Sequence, residues 1–115
     1  MAGQLTTHVL DIEKGCPAGN LKIELWAFDQ DGNKTLLKTV FTNADGRTDE
    51  PLLRNGEVSA GFYELVFSVG NYFSQSTKFP FLDLVPIRFG ISEADQHYHV
   101  PLLVSPWAYS TYRGS

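Results

Sequence analysis

Two histidines flank a tyrosine at His97-Tyr98-His99, and a third stands near the start of the chain at His8. On an extended strand, residues two apart share a face. His97 and His99 therefore point one way, while Tyr98, Val100, Leu102 and Val104 form an apolar side pointing the other. An unperturbed imidazole titrates near pH ~6.5, so most of it is neutral at pH 7 and able to accept a proton. The spacing alone admits three chemistries: an acid–base site, a pH-responsive surface pair, or two of the three or more ligands a zinc ion requires, with His8 as the only further histidine. Arg47, following Asp45-Gly46, reads on its own as covering the end of a hairpin, and with the imidazoles it makes a candidate His/Arg site. The acidic run Asp29-Gln30-Asp31-Gly32-Asn33 departs from a helix-flanked calcium loop. Its glycine comes fourth rather than sixth, and its twelfth position is Val40 rather than glutamate; a hairpin turn is expected there. Cys16, the single cysteine, precedes Pro17 in a turn without an adjacent base and reads as a structural thiol.

The elements that must carry these groups read as strands. Leu5 to Asp11 is β-prone. Leu21 to Phe28 alternates, with Leu21, Ile23, Leu25 and Ala27 on one face. Thr35 to Thr42, Gly61 to Val69, Leu84 to Ile91, Tyr98 to Val104 and Tyr109 to Arg113 complete the set. Turns rich in Gly, Asp and Asn separate them. Asn71 to Lys78 lacks a period of two and is expected to be a short helix or irregular crossover. The fold class expected is all-β: an antiparallel β-sandwich of about eight strands with one short helix, as a single domain over residues 1–115. The segment Tyr109-Ser110-Thr111-Tyr112-Arg113 is β-prone almost to the last residue, so the tail is expected to dock rather than fray.

Composition narrows the partners. The chain has 115 residues, enough to bury about two-thirds of its unfolded surface. Nine basic against thirteen acidic residues give a formal net charge of −4, which disfavours binding to a phosphate backbone. No apolar run approaches the ~20 residues of a membrane-spanning helix. A lone cysteine and the lack of a secretory leader pattern give a cytoplasmic expectation. From the residues alone, the reading stops at a soluble β-sandwich with a His/Arg site.

Three blocks then coincide: Thr7-His8-Val9-Leu10-Asp11 with Gly15-Cys16-Pro17-Ala18; Asp45-Gly46-Arg47; and His97-Tyr98-His99-Val100-Pro101-Leu102-Leu103 running through Ser105-Pro106 to Tyr112-Arg113-Gly114-Ser115. In this combination the chain resembles the transthyretin-like family. The terminal tetrapeptide with His8, Arg47 and His99 resembles its hydrolytic branch rather than the hormone carriers, which lack those residues. Trp107-Ala108 stands where a Tyr-Gly-like pair is common. The resemblance implies a transthyretin-like sandwich and a homotetramer built as a dimer of dimers, with sites in a channel between dimers. It implies hydrolysis of 5-hydroxyisourate at the N1–C6 amide in urate breakdown, with no metal or organic cofactor. It also implies roles for His8, Arg47, His99 and Ser115 in catalysis, and for His8, Arg47, Tyr112, Arg113 and Gly114 in substrate binding. On those residue types, water activation falls mainly to His8 and proton delivery to His99. Arg47 steadies the anion and holds a nearby imidazole neutral. The competing function is a small-ligand carrier using the same channel without chemistry.

Overall fold

A computed structural model describes residues 3–74 and 76–114; Ser115, one of the expected site residues, lies outside the described residues. Within them the chain forms β1 (Gln4–Asp11), β2 (Cys16–Pro17), β3 (Lys22–Phe28), β4 (Lys34–Phe41), β5 (Gly61–Ser68), α1 (Val69–Phe73), β6 (Leu84–Ile91), β7 (His97–Val104) and β8 (Tyr109–Thr111). The strands make two four-stranded sheets in the orders β2-β1-β7-β8 and β4-β3-β5-β6. The expected all-β sandwich is present.

The inward faces follow from the period of two. Leu5 and Val9 on β1, Ile23 and Leu25 on β3, Leu65 and Phe67 on β5, and Leu102 and Val104 on β7 are all fully buried between the sheets. Each such side chain contributes about 1.5–3 kcal/mol by leaving water. β1 alternates strictly, with Leu5, Thr7, Val9 and Asp11 buried. The consequence for chemistry is that Thr6 and His8 share the outer face. The two polar groups that β1 turns inward are satisfied. Thr7 Oγ1 donates to the Val100 carbonyl at 2.7 Å, and Asp11 accepts from the backbone of Glu13 and Lys14 and from the Tyr72 hydroxyl at 2.8 Å. Burial and that carboxylate push the Tyr72 phenol well above its usual range, so it stays a donor. It ties α1 to the end of β1.

Three features differ from the expectation. First, β1 and β7 pair in parallel, from Gln4 opposite His97 to Asp11 opposite Val104, whereas the other strand pairs are antiparallel. No hairpin joins these two strands; the entire second sheet intervenes in sequence, so no tight turn dictates their direction. Second, the helix begins at Val69, earlier than Asn71, and ends at Phe73. Gly70 looks like a strand breaker but lies inside the helix, where an added Cβ would sit 2.6 Å from Asp83 Oδ1. Third, Cys16 and Pro17 form a two-residue strand on β1 rather than plain turn. The Asp29 loop is a hairpin turn, as expected: Asp29 Oδ1 accepts from the backbone of Asp31 and Asn33, and Gly32 takes φ +85°.

Candidate functional site

The parallel register sets Thr6 opposite His99. With alternation on both strands, Thr6 and His8 of β1 and His97 and His99 of β7 rise from the same outer sheet face. The Thr6 hydroxyl lies 2.9 Å from His99 Nδ1 and 2.9 Å from His97 Nε2. The two imidazole centroids are 6.5 Å apart, with planes at 69°. His8 Nε2 is 2.9 Å from the Asp45 carbonyl. A carbonyl only accepts, so Nε2 carries the proton and the neutral ring keeps its lone pair on Nδ1.

Arg47 reaches this face through a turn fitted to β1. Asn43 Oδ1 accepts from the backbone of Asp45 at 2.9 Å and of Arg47 at 3.2 Å, and Gly46 N–H donates to the Asn43 carbonyl at 2.9 Å. The Gly46 carbonyl in turn accepts from Val9 N–H at 2.8 Å, which fixes the turn beside His8. Gly46 has φ +74°, and a Cβ there would stand 2.3 Å from the Val9 carbonyl oxygen. Both constraints demand glycine. Gly46→Ala is expected to cost about 1–3 kcal/mol and to displace the Asp45 carbonyl and Arg47 together. Thermal melts and turnover should fall jointly; an unchanged Tm would contradict this account of the turn. Among the described residues no carboxylate pairs with the exposed Arg47 guanidinium. A shallow cleft of about 190 Å³ opens beside it, lined in part by Thr6, Thr7 and Asp49.

The half-buried His99 imidazole has its pKa lowered from the ordinary imidazole value. Burial is the largest cause, followed by the positive charge of Arg47 and then His97 and His8. His99 is thereby held in the neutral, proton-accepting form at pH 7. The structure brings His8 and Arg47 within electrostatic range of His99 on one face.

The C-terminal segment divides. Gly114 N–H donates to the His99 carbonyl at 2.7 Å, so the tail docks. A Cβ at Gly114 would lie 2.6 Å from His99 Cδ2; the Gly114 backbone thus backs the edge of the ring next to Nε2. Gly114→Ala is expected to tilt that ring and lower turnover about tenfold or more, with the melting temperature little changed. Wild-type turnover by the alanine variant would refute this contact. Arg113 turns away from the imidazoles. Its guanidinium lies 4.1 Å from the centroid of the inward-facing Tyr98 ring and Nη2 donates to Gln96 at 2.8 Å. Tyr112, exposed, lines with Tyr98, Thr111 and Arg113 a different cleft of about 240 Å³ against β6.

Among the described residues no three His, Cys, Asp or Glu side chains are grouped to hold a metal ion. Cys16 is an exposed free thiol. The sequence reading passed over Thr6. Its spacing from His8, the same two-residue step as His97 to His99, was the available signal.

Comparison with known proteins follows the same lines. A model of the HIUase/Transthyretin family matches residues 5–114. A 5-hydroxyisourate hydrolase of Mesorhizobium japonicum is 60% identical over 98% of this chain and 93% of its own length. The 5-hydroxyisourate hydrolase 2 of Rhizobium meliloti is 56% identical over 99% of this chain and 98% of its own. The crystal structure of (S)-allantoin synthase superposes with a TM-score of 0.92 at 48% identity. It covers 99% of this chain, which spans 44% of that longer chain.

Proposed function

The chain belongs to the HIUase/Transthyretin family, and from that premise we propose that it opens the six-membered ring of 5-hydroxyisourate, hydrolysing the N1–C6 amide in urate catabolism. The observation that carries this reading is the meeting of His8, Arg47 and His99 on the outer face of β1 and β7. Ring opening needs a water made nucleophilic, a donor for the oxygen that gains charge, and a proton for the departing nitrogen. Arg47 offers its planar fork to the carbonyl oxygen as it becomes an anion. His99 takes the water's proton and returns one to the nitrogen. This reverses the division expected from residue types, which gave water activation mainly to His8. What supports the reversal is the lowered pKa of His99 and the commitment of His8 Nε2–H to the Asp45 carbonyl, which leaves only Nδ1 of that ring to hold water or substrate. Gly114 backs His99, and Ser115 keeps the catalytic role that the resemblance implies; Tyr112 and Arg113 bind substrate in this proposal as residues presented by a second subunit.

The same proposal makes the protein one catalytic domain in a homotetramer, a dimer of dimers, working in the cytoplasm without a cofactor. Support for assembly comes from the openness of the site on one chain: its cleft is shallow, Arg47 is exposed, and only a facing subunit would exclude water from the other side. No helix among the described residues is long and apolar enough to cross a membrane. The deciding experiment follows the ultraviolet absorbance of freshly generated 5-hydroxyisourate. Decay that accelerates in proportion to protein concentration is expected; decay at the spontaneous rate would overturn the reading.

A further inference from the structure

A single hydroxyl stands between two imidazoles at 2.9 Å from each. Thr6 Oγ1 has one proton to donate and can accept from the other partner. At least one ring must then donate N–H to Thr6, and at most one can receive its O–H; a proton path runs through the hydroxyl only when one donates and the other receives. The two possible chains are opposite in sense. In one, His99 Nδ1–H donates to Thr6, Thr6 donates to His97 Nε2, and His99 Nε2 is left with its lone pair. In the other, His99 Nε2 carries the proton and cannot act as a base.

We propose that Thr6 and His97 are positioning residues that hold His99 in the Nδ1–H form and take up and return its surplus proton. The inference rests on the hydrolase reading above. Its basis is the geometry: His97 is exposed, so its ring can complete either chain at little cost, whereas His99 is half-buried beside Arg47 and backed by Gly114. When His99 Nε2 takes a proton from water, the new N–H bond makes the ring cationic next to a guanidinium. Nδ1 then gives its proton to Thr6 Oγ1, and Thr6 gives its own to His97 Nε2. Thr6 ends as it began, His99 becomes neutral with its proton on Nε2, facing the departing nitrogen, and the charge rests on exposed His97. As Nε2 delivers that proton, His97 Nε2 returns one to Thr6 and Thr6 passes its own to His99 Nδ1 in the same step, so His99 ends in its starting Nδ1–H form without becoming an anion. Arg47 and His8 also act electrostatically on His99; neither takes part in the chain.

The test uses the full-length protein and the variants Thr6→Val, Thr6→Ser and His97→Ala. Thr6→Val, which keeps the shape and removes the hydroxyl, should lower kcat about 10- to 100-fold with little change in KM. Thr6→Ser should recover most of the loss. Nitrogen–proton correlation spectra of the imidazoles, recorded without substrate, should show His99 mainly as Nδ1–H in the wild type. In His97→Ala the freed Thr6 hydroxyl should turn to His99 Nδ1 and convert the ring to Nε2–H. Wild-type kcat in Thr6→Val, or an Nε2–H ring at His99 in the wild type, would overturn the proposal. Failure of the hydrolase reading would be seen separately, as a wild-type protein that does not accelerate decay of 5-hydroxyisourate. The spectra then still decide the tautomer of His99.

Discussion

His99→Asn is expected to slow ring opening by two to three powers of ten while leaving the sandwich folded. The estimate follows from the usual worth of a positioned acid–base group, about 10²–10⁴ in rate. Asparagine can still meet the Thr6 hydroxyl but cannot take a proton from water. The fold should survive because the side chain lies on the outer face, opposite the Tyr98, Leu102 and Val104 side of β7 that packs the core. The substitution also has a pH signature. A histidine whose pKa is lowered in the folded protein resists protonation there, so the native state is at its best above the ordinary imidazole pKa of about 6.5 and loses stability as pH falls below it. His99→Asn removes that acid-side loss. Melting temperatures of the variant and the wild type should therefore converge, or cross in favour of the variant, between pH 7 and pH 5. A wild-type rate in His99→Asn would take His99 out of the mechanism.

Arg47→Gln should cost about 10²–10³ in turnover, the range seen when one donor to a developing oxyanion is removed. Glutamine keeps an N–H but loses both the charge and the fork. Arg47→Lys should recover only part of the rate, since a point charge cannot present two parallel donors. The charge acts a second way, because Arg47 is the largest charged contribution to the depression of the His99 pKa, after burial. Without it the pKa rises part of the way back toward the ordinary value. The acid limb of kcat/KM, where His99 becomes protonated and inactive, should therefore move to higher pH in Arg47→Gln. A limb that stays in place, or moves to lower pH, would separate Arg47 from His99.

Much of this was legible in the residues. The period of two in β3 and β7 marked one apolar face on each, and those faces are the buried ones, because a strand packed on one side can hide only alternate positions. The same period put both imidazoles of His97-Tyr98-His99 on one side. What local pattern cannot carry is the partner of a strand distant in sequence. The two-residue step from Thr6 to His8 puts Thr6 on the outer face, but only the β1–β7 register shows that it stands opposite His99. The helix boundary was misplaced for a related reason: Gly70 serves the close approach of Asp83, a contact outside its own window. The tail was read as a unit, yet Gly114 joins His99 while Arg113 stacks on Tyr98 on the opposite side of β7. Alternating direction along an extended tail divides its side chains between two faces, and no resemblance in composition reveals which ones go where.

The most direct test is the crystal structure of the assembled protein with a bound purine-like ring that it cannot hydrolyse. The account predicts that ring on the outer face of β1 and β7, its carbonyl oxygen held by the Arg47 guanidinium and its edge within hydrogen-bonding reach of His8 and His99. A ring seated instead in the cleft between β6 and the Tyr98–Arg113 stack, with all three groups left in water, would contradict it.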